Sequence, residues 1–184
     1  MKKKTFLFLF GFVILILAAT FFILQNNQYQ NENYQQPAGK IISGSFDKSK
    51  QKTNAQWKKI LTSQQYYILR EAGTEIPFTG KLENEWAKGT YYSVGCNEPI
   101  FSSDTKYDSG TGWPSFWAPI NNNALVLRED DSIPGEPRIE VLDKCGGHLG
   151  HVFDDGPQPT GKRYCMNSAA MYFVPDKKQT IGKT

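Results

Sequence analysis

After Pro77 the chain is interrupted at short intervals by turn-forming residues, and this spacing limits the possible fold more than any other feature. Apolar or alternating runs of a few residues, such as 89–94, 124–128, 138–142 and 169–174, are separated by Gly, Pro, Asn and Asp. Runs of this length, bounded by such residues, are typical of antiparallel strands joined by tight turns. The sequence therefore predicts a mainly β domain.

Two short helices are predicted before Pro77. Asn54 is a candidate cap for a helix that carries Trp57, and Ser63 is a candidate cap for a second helix that ends at Gly73. Apolar residues spaced by three and four positions follow each candidate cap, as on one face of a helix. Glycine is common just after the last turn of a helix.

The first residues contain an apolar run, 6–24, that follows Lys2, Lys3 and Lys4 and contains no charge and no proline. As a helix the run would be roughly 28 Å long, close to the thickness of the hydrocarbon layer of a bilayer. A basic flank stays on the cytoplasmic side, so the rest of the chain is expected to be exported. We favour an uncleaved anchor, and a cleavable signal peptide is the alternative.

These patterns divide the chain into four parts: a membrane anchor or signal segment (1–24), a flexible tether (25–53), a folded domain (54–176) and a tail (177–184). The tether is rich in Gln, Asn, Lys and Ser and has too few large apolar residues to form a core. The predicted fold class is mainly β, with two antiparallel sheets and a few short N-terminal helices, preceded by one transmembrane helix or signal segment. The domain is expected at the periplasmic or extracellular face, attached to the membrane through residues 6–24, or secreted if the segment is cleaved.

Charge and cysteine content exclude several classes of protein. Three of the 21 basic residues precede the apolar run, which leaves 18 basic residues against 18 acidic residues in the rest of the chain. A neutral body without a basic face argues against nucleic acid as a partner. Three cysteines are too few for a disulfide-framed miniprotein or for a four-cysteine zinc site.

The two histidines of the chain, His148 and His151, stand close together in a glycine-rich segment that begins at Cys145. Imidazole titrates near neutral pH, so such a pair can hold or transfer protons. The spacing also fits half of a metal site, or two structural histidines in a turn.

A third cysteine, Cys165, lies between Arg163 and Asn167 in a segment with strand character. Alternate residues of a strand share a face, which would place a cation, a thiol and an amide side by side. A nearby guanidinium lowers the pKa of a thiol. The alternative is an inert cysteine buried in a core strand. A separate glycine-rich loop presents Trp113, which could form an apolar wall for a ligand or belong to the core.

Taken together, residues 101–116, 148–153 and 163–168 resemble, in order and spacing, the signatures of B-type methionine sulfoxide reductases, which act on the R epimer. The resemblance covers roughly residues 57–175. It implies a nucleophile at Cys165 that attacks the sulfoxide sulfur and becomes a sulfenic acid. It also implies supporting roles for further residues: proton transfer and polar contacts for His148, His151 and Asn167, and substrate contacts for Trp113, Arg163 and Phe153. The implied partners are oxidised proteins or methionine sulfoxide peptides, together with a thioredoxin-like or small-molecule thiol.

The chain departs from this family at two places. Many members have a resolving cysteine where this chain has Thr111, so an external thiol, or Cys96 or Cys145 after a loop movement, would have to reduce the sulfenic acid. Zinc-containing members have two cysteine pairs, of which only Cys96 and Cys145 remain. We therefore expect no zinc and no other cofactor, and if the family geometry holds the two cysteines could form a disulfide.

Two functions from other classes stay open at this point. One is a metal-binding or structural module that uses Cys96, Cys145, His148 and His151. The other is an inactive relative that serves as an adaptor.

Overall fold

A computed structural model describes residues 39–177 of the chain. The regular elements comprise two α-helices, ten β-strands and three short 3-10 helices. In chain order they are β1 (Ile41–Ser43), a 3-10 helix (Lys48–Lys50), α1 (Asn54–Ile60), α2 (Ser63–Glu71), β2 (Gly89–Ser93), β3 (Pro99–Ser102), a 3-10 helix (Ser103–Thr105), β4 (Lys106–Tyr107), β5 (Ser115–Phe116), β6 (Val126–Asp130), β7 (Arg138–Leu142), β8 (His148–Phe153), β9 (Arg163–Met166), a 3-10 helix (Ser168–Ala170) and β10 (Met171–Pro175).

Each helix begins with a capping box one residue earlier than the predicted cap. The Thr53 hydroxyl accepts the amide of Gln56, and the Gln56 side chain accepts the amide of Thr53. Thr62 and Gln65 repeat this arrangement at the start of α2. The predicted caps are wrong by one residue because a threonine followed three positions later by glutamine satisfies two free amides reciprocally.

All strand pairs are antiparallel and form two sheets. The larger sheet has the order β1-β6-β7-β8-β9-β5-β4, and the smaller sheet has the order β10-β2-β3. β1 lies inside the stretch predicted as a tether and pairs with β6, so the larger sheet begins before the predicted domain boundary at residue 54.

The main core contains aromatic side chains from both sheets. Tyr91 and Phe101 of the smaller sheet are fully buried and contact Phe116 of β5, with ring centroids 4.9 and 4.3 Å apart. Ile68 and Leu69 of α2 complete this core. The contacts fix β5, and with it the adjacent β9, against the rest of the domain.

A smaller apolar cluster joins α1 to the turn before β8. It consists of Trp57, Cys96 and Cys145, all of them buried. Cys96 and Cys145 form a disulfide with a Cα–Cα distance of 5.4 Å. The turn that precedes β8 is therefore attached to the β2–β3 connection.

This architecture corrects the predicted fold class. The prediction placed a transmembrane helix or signal segment before a mainly β domain. The described residues show two short helices with two antiparallel sheets, and among residues 39–177 no helix is long and apolar enough to cross a bilayer. The apolar run 6–24, to which the predicted membrane attachment belongs, lies outside the described residues.

Candidate active site

One row of side chains crosses five strands of the larger sheet. Residues that face each other directly in an antiparallel pair project to the same side of the sheet. Arg128 of β6 faces Glu140 of β7, Glu140 faces His151 of β8, His151 faces Cys165 of β9, and Cys165 faces Ser115 of β5. The strand register thus brings a guanidinium, a carboxylate, an imidazole, a thiol and a hydroxyl onto one face.

A β-bulge adds the second histidine to this face. His148 and His151 are three residues apart, and in a regular strand they would project to opposite sides. Between β7 and β8, one step from Val141 to Leu142 is matched by two steps from Gly150 to His148. The extra residue turns His148 to the side of His151, and the two rings lie 5.3 Å apart, nearly edge to face.

His148 is buried and belongs to an ionic network behind the site. Its Nδ1 donates to Glu140 Oε1 over 2.7 Å, and the guanidinium of Arg128 contacts the other oxygen of Glu140. Burial opposes ionisation of Glu140, but the hydrogen bond from His148 and the charges of His148 and Arg128 outweigh it and lower the pKa of Glu140. The second ring nitrogen of His148 has no hydrogen-bond partner among residues 39–177.

His151 is held by a separate carboxylate. Its Nε2 donates to Asp130 Oδ2 over 2.7 Å, and Arg138 donates to the same oxygen over 2.7 Å. Burial lowers the pKa of His151, and the charges of His148 and Arg138 lower it further, against the hydrogen bond to Asp130 that raises it. His151 is therefore mainly neutral at pH 7, with its orientation fixed by Asp130.

Cys165 is half-buried and has no disulfide partner. The Thr111 hydroxyl lies 3.9 Å from its sulfur. Burial raises the pKa of the Cys165 thiol, and Thr111, Arg163 and Ser115 offset part of this effect. The resting side chain is accordingly a thiol whose proton must leave during any nucleophilic attack.

Arg163 combines three contacts near this thiol. Its guanidinium donates to both oxygens of Asp155 over 2.8 and 2.7 Å and stacks on the Phe153 ring at 4.3 Å. Its charge is among the effects that lower the pKa of Cys165. Arg163 is thus a fixed cation beside the reactive sulfur, held by Asp155 and Phe153.

Asn167 and Trp113 are connected through the backbone of Glu75. The Glu75 amide donates to Asn167 Oδ1 over 2.9 Å, and the Trp113 indole donates to the Glu75 carbonyl over 3.1 Å. Asn167 also donates to the Leu149 carbonyl over 3.1 Å, so both ends of its amide are bonded to backbone. The buried Glu75 carboxylate accepts the amides of residues 168 and 169 over 2.5 and 3.0 Å, which fixes the chain just after Asn167.

A cavity of about 190 Å³ opens on this side of the sheet. Its walls bring together apolar rings and polar groups: Trp113, Phe153, Arg138, His151, Cys165 and Asn167. A thiol on the wall of such a cavity, next to an oriented imidazole, can attack a bound electrophile while a proton is transferred.

The structure brings most of the predicted site residues together. Cys165, His151, Asn167, Trp113 and Phe153 line the cavity, with Arg163 beside Phe153 and Cys165 and with His148 buried behind His151. Cys96 and Cys145 lie apart from it, in the cluster with Trp57.

Three acidic residues of the site were not predicted from the sequence. Asp130 and Glu140 orient the two histidines, and Glu75 supports Asn167 and Trp113. The alternation of charged and apolar residues in β7, where Arg138 and Glu140 share a face, was a usable signal. No sequence signal connected Glu75 to Asn167, which is 92 positions away.

Among residues 39–177, one group of at least three potential ligands lies close enough together to share a metal ion. It consists of Cys96, Cys145 and Asp143, whose ligand atoms all lie within 4.8 Å of one another. Their sulfurs are bonded to each other, and the Asp143 carboxylate accepts the Ser93 hydroxyl and the amides of Cys145 and Gly147. These contacts satisfy the donor set without an ion. The expectation of no zinc and no other cofactor stays a prediction.

Comparisons with known proteins agree in identifying one family. The model of the SelR domain matches residues 61–175. A peptide methionine sulfoxide reductase MsrB of Leptospira interrogans is 55% identical over 123 residues, which are 66% of this chain and 93% of the relative. The MsrB of Methanosarcina barkeri is 49% identical over 137 residues, 74% of this chain and 96% of the relative. Peptide methionine sulfoxide reductase B1, chloroplastic, of Arabidopsis thaliana is 57% identical over 117 residues, 63% of this chain and 57% of the relative. The chain therefore belongs to the SelR-domain family, whose model covers the residues of the site described above.

Proposed function

We propose that this protein reduces methionine (R)-sulfoxide in proteins or peptides to methionine, with a thiol as the reductant. The observation that carries the proposal is the direct pairing of Cys165 with His151 on the wall of a cavity that also contains Trp113 and Phe153, in a chain that belongs to the SelR-domain family. The reaction repairs a common oxidative lesion of proteins.

The first chemical step transfers an oxygen atom from the sulfoxide sulfur to the Cys165 sulfur. The Cys165 sulfur attacks the sulfoxide sulfur while its proton passes, through His151, to the sulfoxide oxygen. The S–S bond formed by this attack and the S–O bond of the substrate then break as the oxygen passes to Cys165 as a hydroxyl group, so methionine sulfoxide is reduced by two electrons to methionine and Cys165 is oxidised to a sulfenic acid. Protonation of the oxygen makes the substrate sulfur electrophilic enough for attack.

The raised pKa of Cys165 fits this order of events. A thiol that keeps its proton in the resting enzyme brings to the reaction the proton that the sulfoxide oxygen needs. His151 is mainly neutral and therefore able to accept that proton, and Asp130 then stabilises the charged imidazolium. Arg163 stabilises the thiolate at the moment it forms.

The cavity walls provide the selection of substrate. We assign to Trp113 and Phe153 the apolar contacts with the methyl group and the side chain of methionine sulfoxide. The indole of Trp113 is fixed by its hydrogen bond to Glu75. A rigid wall on one side of a fixed nucleophile distinguishes the two epimers by shape.

Recycling requires a thiol from outside the described residues. Thr111, whose hydroxyl lies 3.9 Å from the Cys165 sulfur, has no thiol, and the sulfurs of Cys96 and Cys145 are already joined in the second cluster. One external thiol attacks the sulfenic acid and releases water, and a second thiol then frees Cys165 and leaves a disulfide between the two reductants. A thioredoxin-like protein or a small-molecule thiol can supply both.

The Cys96–Cys145 disulfide supports a location of the domain in an oxidising compartment. Disulfides persist outside the cytoplasm and are rare within it. We therefore propose that the domain acts in an exported compartment. The metal-binding alternative is less favoured, because the cysteines it needs are bonded to each other and the histidines it needs are bonded to Glu140 and Asp130.

An assay with the two separated epimers tests the activity. With excess dithiothreitol, the protein is expected to reduce N-acetyl methionine (R)-sulfoxide at least a hundredfold faster than the S epimer, a difference of about 2.7 kcal/mol in activation free energy. Cys165→Ser should abolish the reaction, whereas Cys96→Ala/Cys145→Ala should retain it. Equal rates for both epimers, or an active Cys165→Ser protein, would show that the proposal is wrong.

A further inference from the structure

Two large apolar side chains are exposed beside the Trp113 loop. Phe78 and Trp86 are 67% and 53% exposed, and they line a second cavity, of about 150 Å³, that also includes Trp113 and Gly112. We call Phe78 and Trp86 the apolar rim. Single exposed apolar residues are ordinary, but two aromatic rings around one cavity indicate a binding surface.

The backbone at Phe78 has an unusual conformation, and the ring is exposed. Pro77 and Phe78 are the central residues of a turn in which the Thr79 amide donates to the Ile76 carbonyl over 3.4 Å. Phe78 has a φ of 64°, the left-handed conformation that the third position of a type II turn ordinarily gives to Gly or Asn. A bulky residue there is a conformational outlier, and burial does not compensate because most of the ring faces solvent.

The apolar rim is continuous with the catalytic cavity. The Phe78 amide donates to the Gly112 carbonyl over 2.8 Å, and a Cβ added to Gly112 would lie 2.8 Å from the Phe78 ring. The neighbouring Thr111 contacts the Cys165 sulfur, and Trp113 lines both cavities. A chain that places its sulfoxide at Cys165 can therefore place a neighbouring side chain against the rim.

The second aromatic ring is also held in place. The Lys106 ammonium lies 3.9 Å from the centre of the Trp86 ring and donates to the carbonyls of Glu83 and Glu85 over 2.6 and 2.8 Å. These bonds restrain the segment that carries Trp86, so the rim is ordered before a ligand arrives. Preorganised aromatic rings lose little entropy on binding.

We propose that the apolar rim binds a large apolar side chain that flanks the oxidised methionine, so that the preferred substrate is a peptide segment with an apolar residue next to the methionine sulfoxide. This inference rests on the proposed function and specifies its substrate. Free methionine sulfoxide has no residue that reaches the rim, whereas residues of an extended chain follow one another at about 3.3 Å. Glu83 and Asp108 also line the second cavity and disfavour an acidic neighbour.

The test compares three substrates with the same reductant, excess dithiothreitol. They are N-acetyl methionine (R)-sulfoxide, a short peptide with the R-sulfoxide between glycines, and the same peptide with leucines in place of those glycines. We expect kcat/KM for the leucine peptide to exceed that for the glycine peptide by about tenfold, as burial of part of a large apolar side chain would give. Phe78→Asn, which suits the left-handed conformation, should reduce this ratio to about one.

Ile60→Asn is the matched control, because Ile60 is 60% exposed on α1 and belongs to neither cavity. Its ratio should equal that of the unmodified protein, and the unfolding midpoint of Phe78→Asn should equal or exceed that of the unmodified protein. Equal kcat/KM for the two peptides would overturn the inference while leaving the proposed function intact. The inference is also overturned if Phe78→Asn lowers the midpoint and slows all three substrates equally. Absence of turnover with all three would instead overturn the proposed function itself.

Discussion

Removal of the Cys96–Cys145 disulfide should destabilise the domain by up to about 4 kcal/mol. The two residues are 49 positions apart in sequence, and a cross-link that closes a loop of this length reduces the entropy of the unfolded chain by an amount worth about 4 kcal/mol at 25 °C. In a domain of this size, such a loss corresponds to a decrease of roughly 15 °C in the unfolding midpoint. Cys96→Ala/Cys145→Ala is the suitable variant, since both positions are buried beside Trp57 and alanine adds no polar group there.

Thermal unfolding followed by circular dichroism, with and without dithiothreitol, measures this effect. The unmodified protein should unfold at a lower temperature in the reductant, whereas the double variant should be insensitive to it. Cys165→Ala is the control, because this cysteine has no disulfide partner. A midpoint that differs by less than about 3 °C between the unmodified protein and the double variant would refute the reasoning.

The remaining predictions concern the walls of the catalytic cavity. Asn167→Ala should lower both stability, by about 1–3 kcal/mol in urea unfolding, and activity, since it leaves the Glu75 amide without a partner and removes one of the two hydrogen bonds to the Leu149 carbonyl; unchanged stability would contradict this. Trp113→Ala should raise KM for the R-sulfoxide at least tenfold and reduce the preference for the R epimer, and kinetics equal to those of the unmodified protein with both epimers would exclude its assigned contact. The pKa of His151 is lowered in the folded protein, so the unfolded chain binds a proton more readily and stability should fall as the pH decreases below about 6.5. His151→Gln should reduce that fall between pH 7.5 and 5.5 in the same urea assay, and an identical slope would show that another group causes it.

Two of the catalytic strands were predictable from their short apolar or alternating sequences. The predicted run 138–142 coincides with the observed strand Arg138–Leu142, and Cys165 lies in a strand as expected. Period-two alternation carries this information locally, without knowledge of the partner strands. The motif that contains Cys165 and His151 was located instead from its residue types and from the resemblance to B-type methionine sulfoxide reductases.

The relative positions of the two histidines were not predictable. A regular strand would separate the rings of His148 and His151 onto opposite sides, and only the bulge between β7 and β8 brings them together. A bulge depends on the register of two strands, which is not a local property of the sequence. The same argument applies to Asn167, whose hydrogen bond to Glu75 joins segments far apart in the chain.

A single-turnover reaction without reductant tests the central assignment most directly. The protein is mixed with an excess of a peptide that contains methionine (R)-sulfoxide, and methionine, free thiols and protein mass are measured over time. We predict one methionine formed per protein molecule, loss of the Cys165 thiol, and a mass increase of one oxygen confined to Cys165. Formation of methionine while the Cys165 thiol stays unmodified would contradict the account.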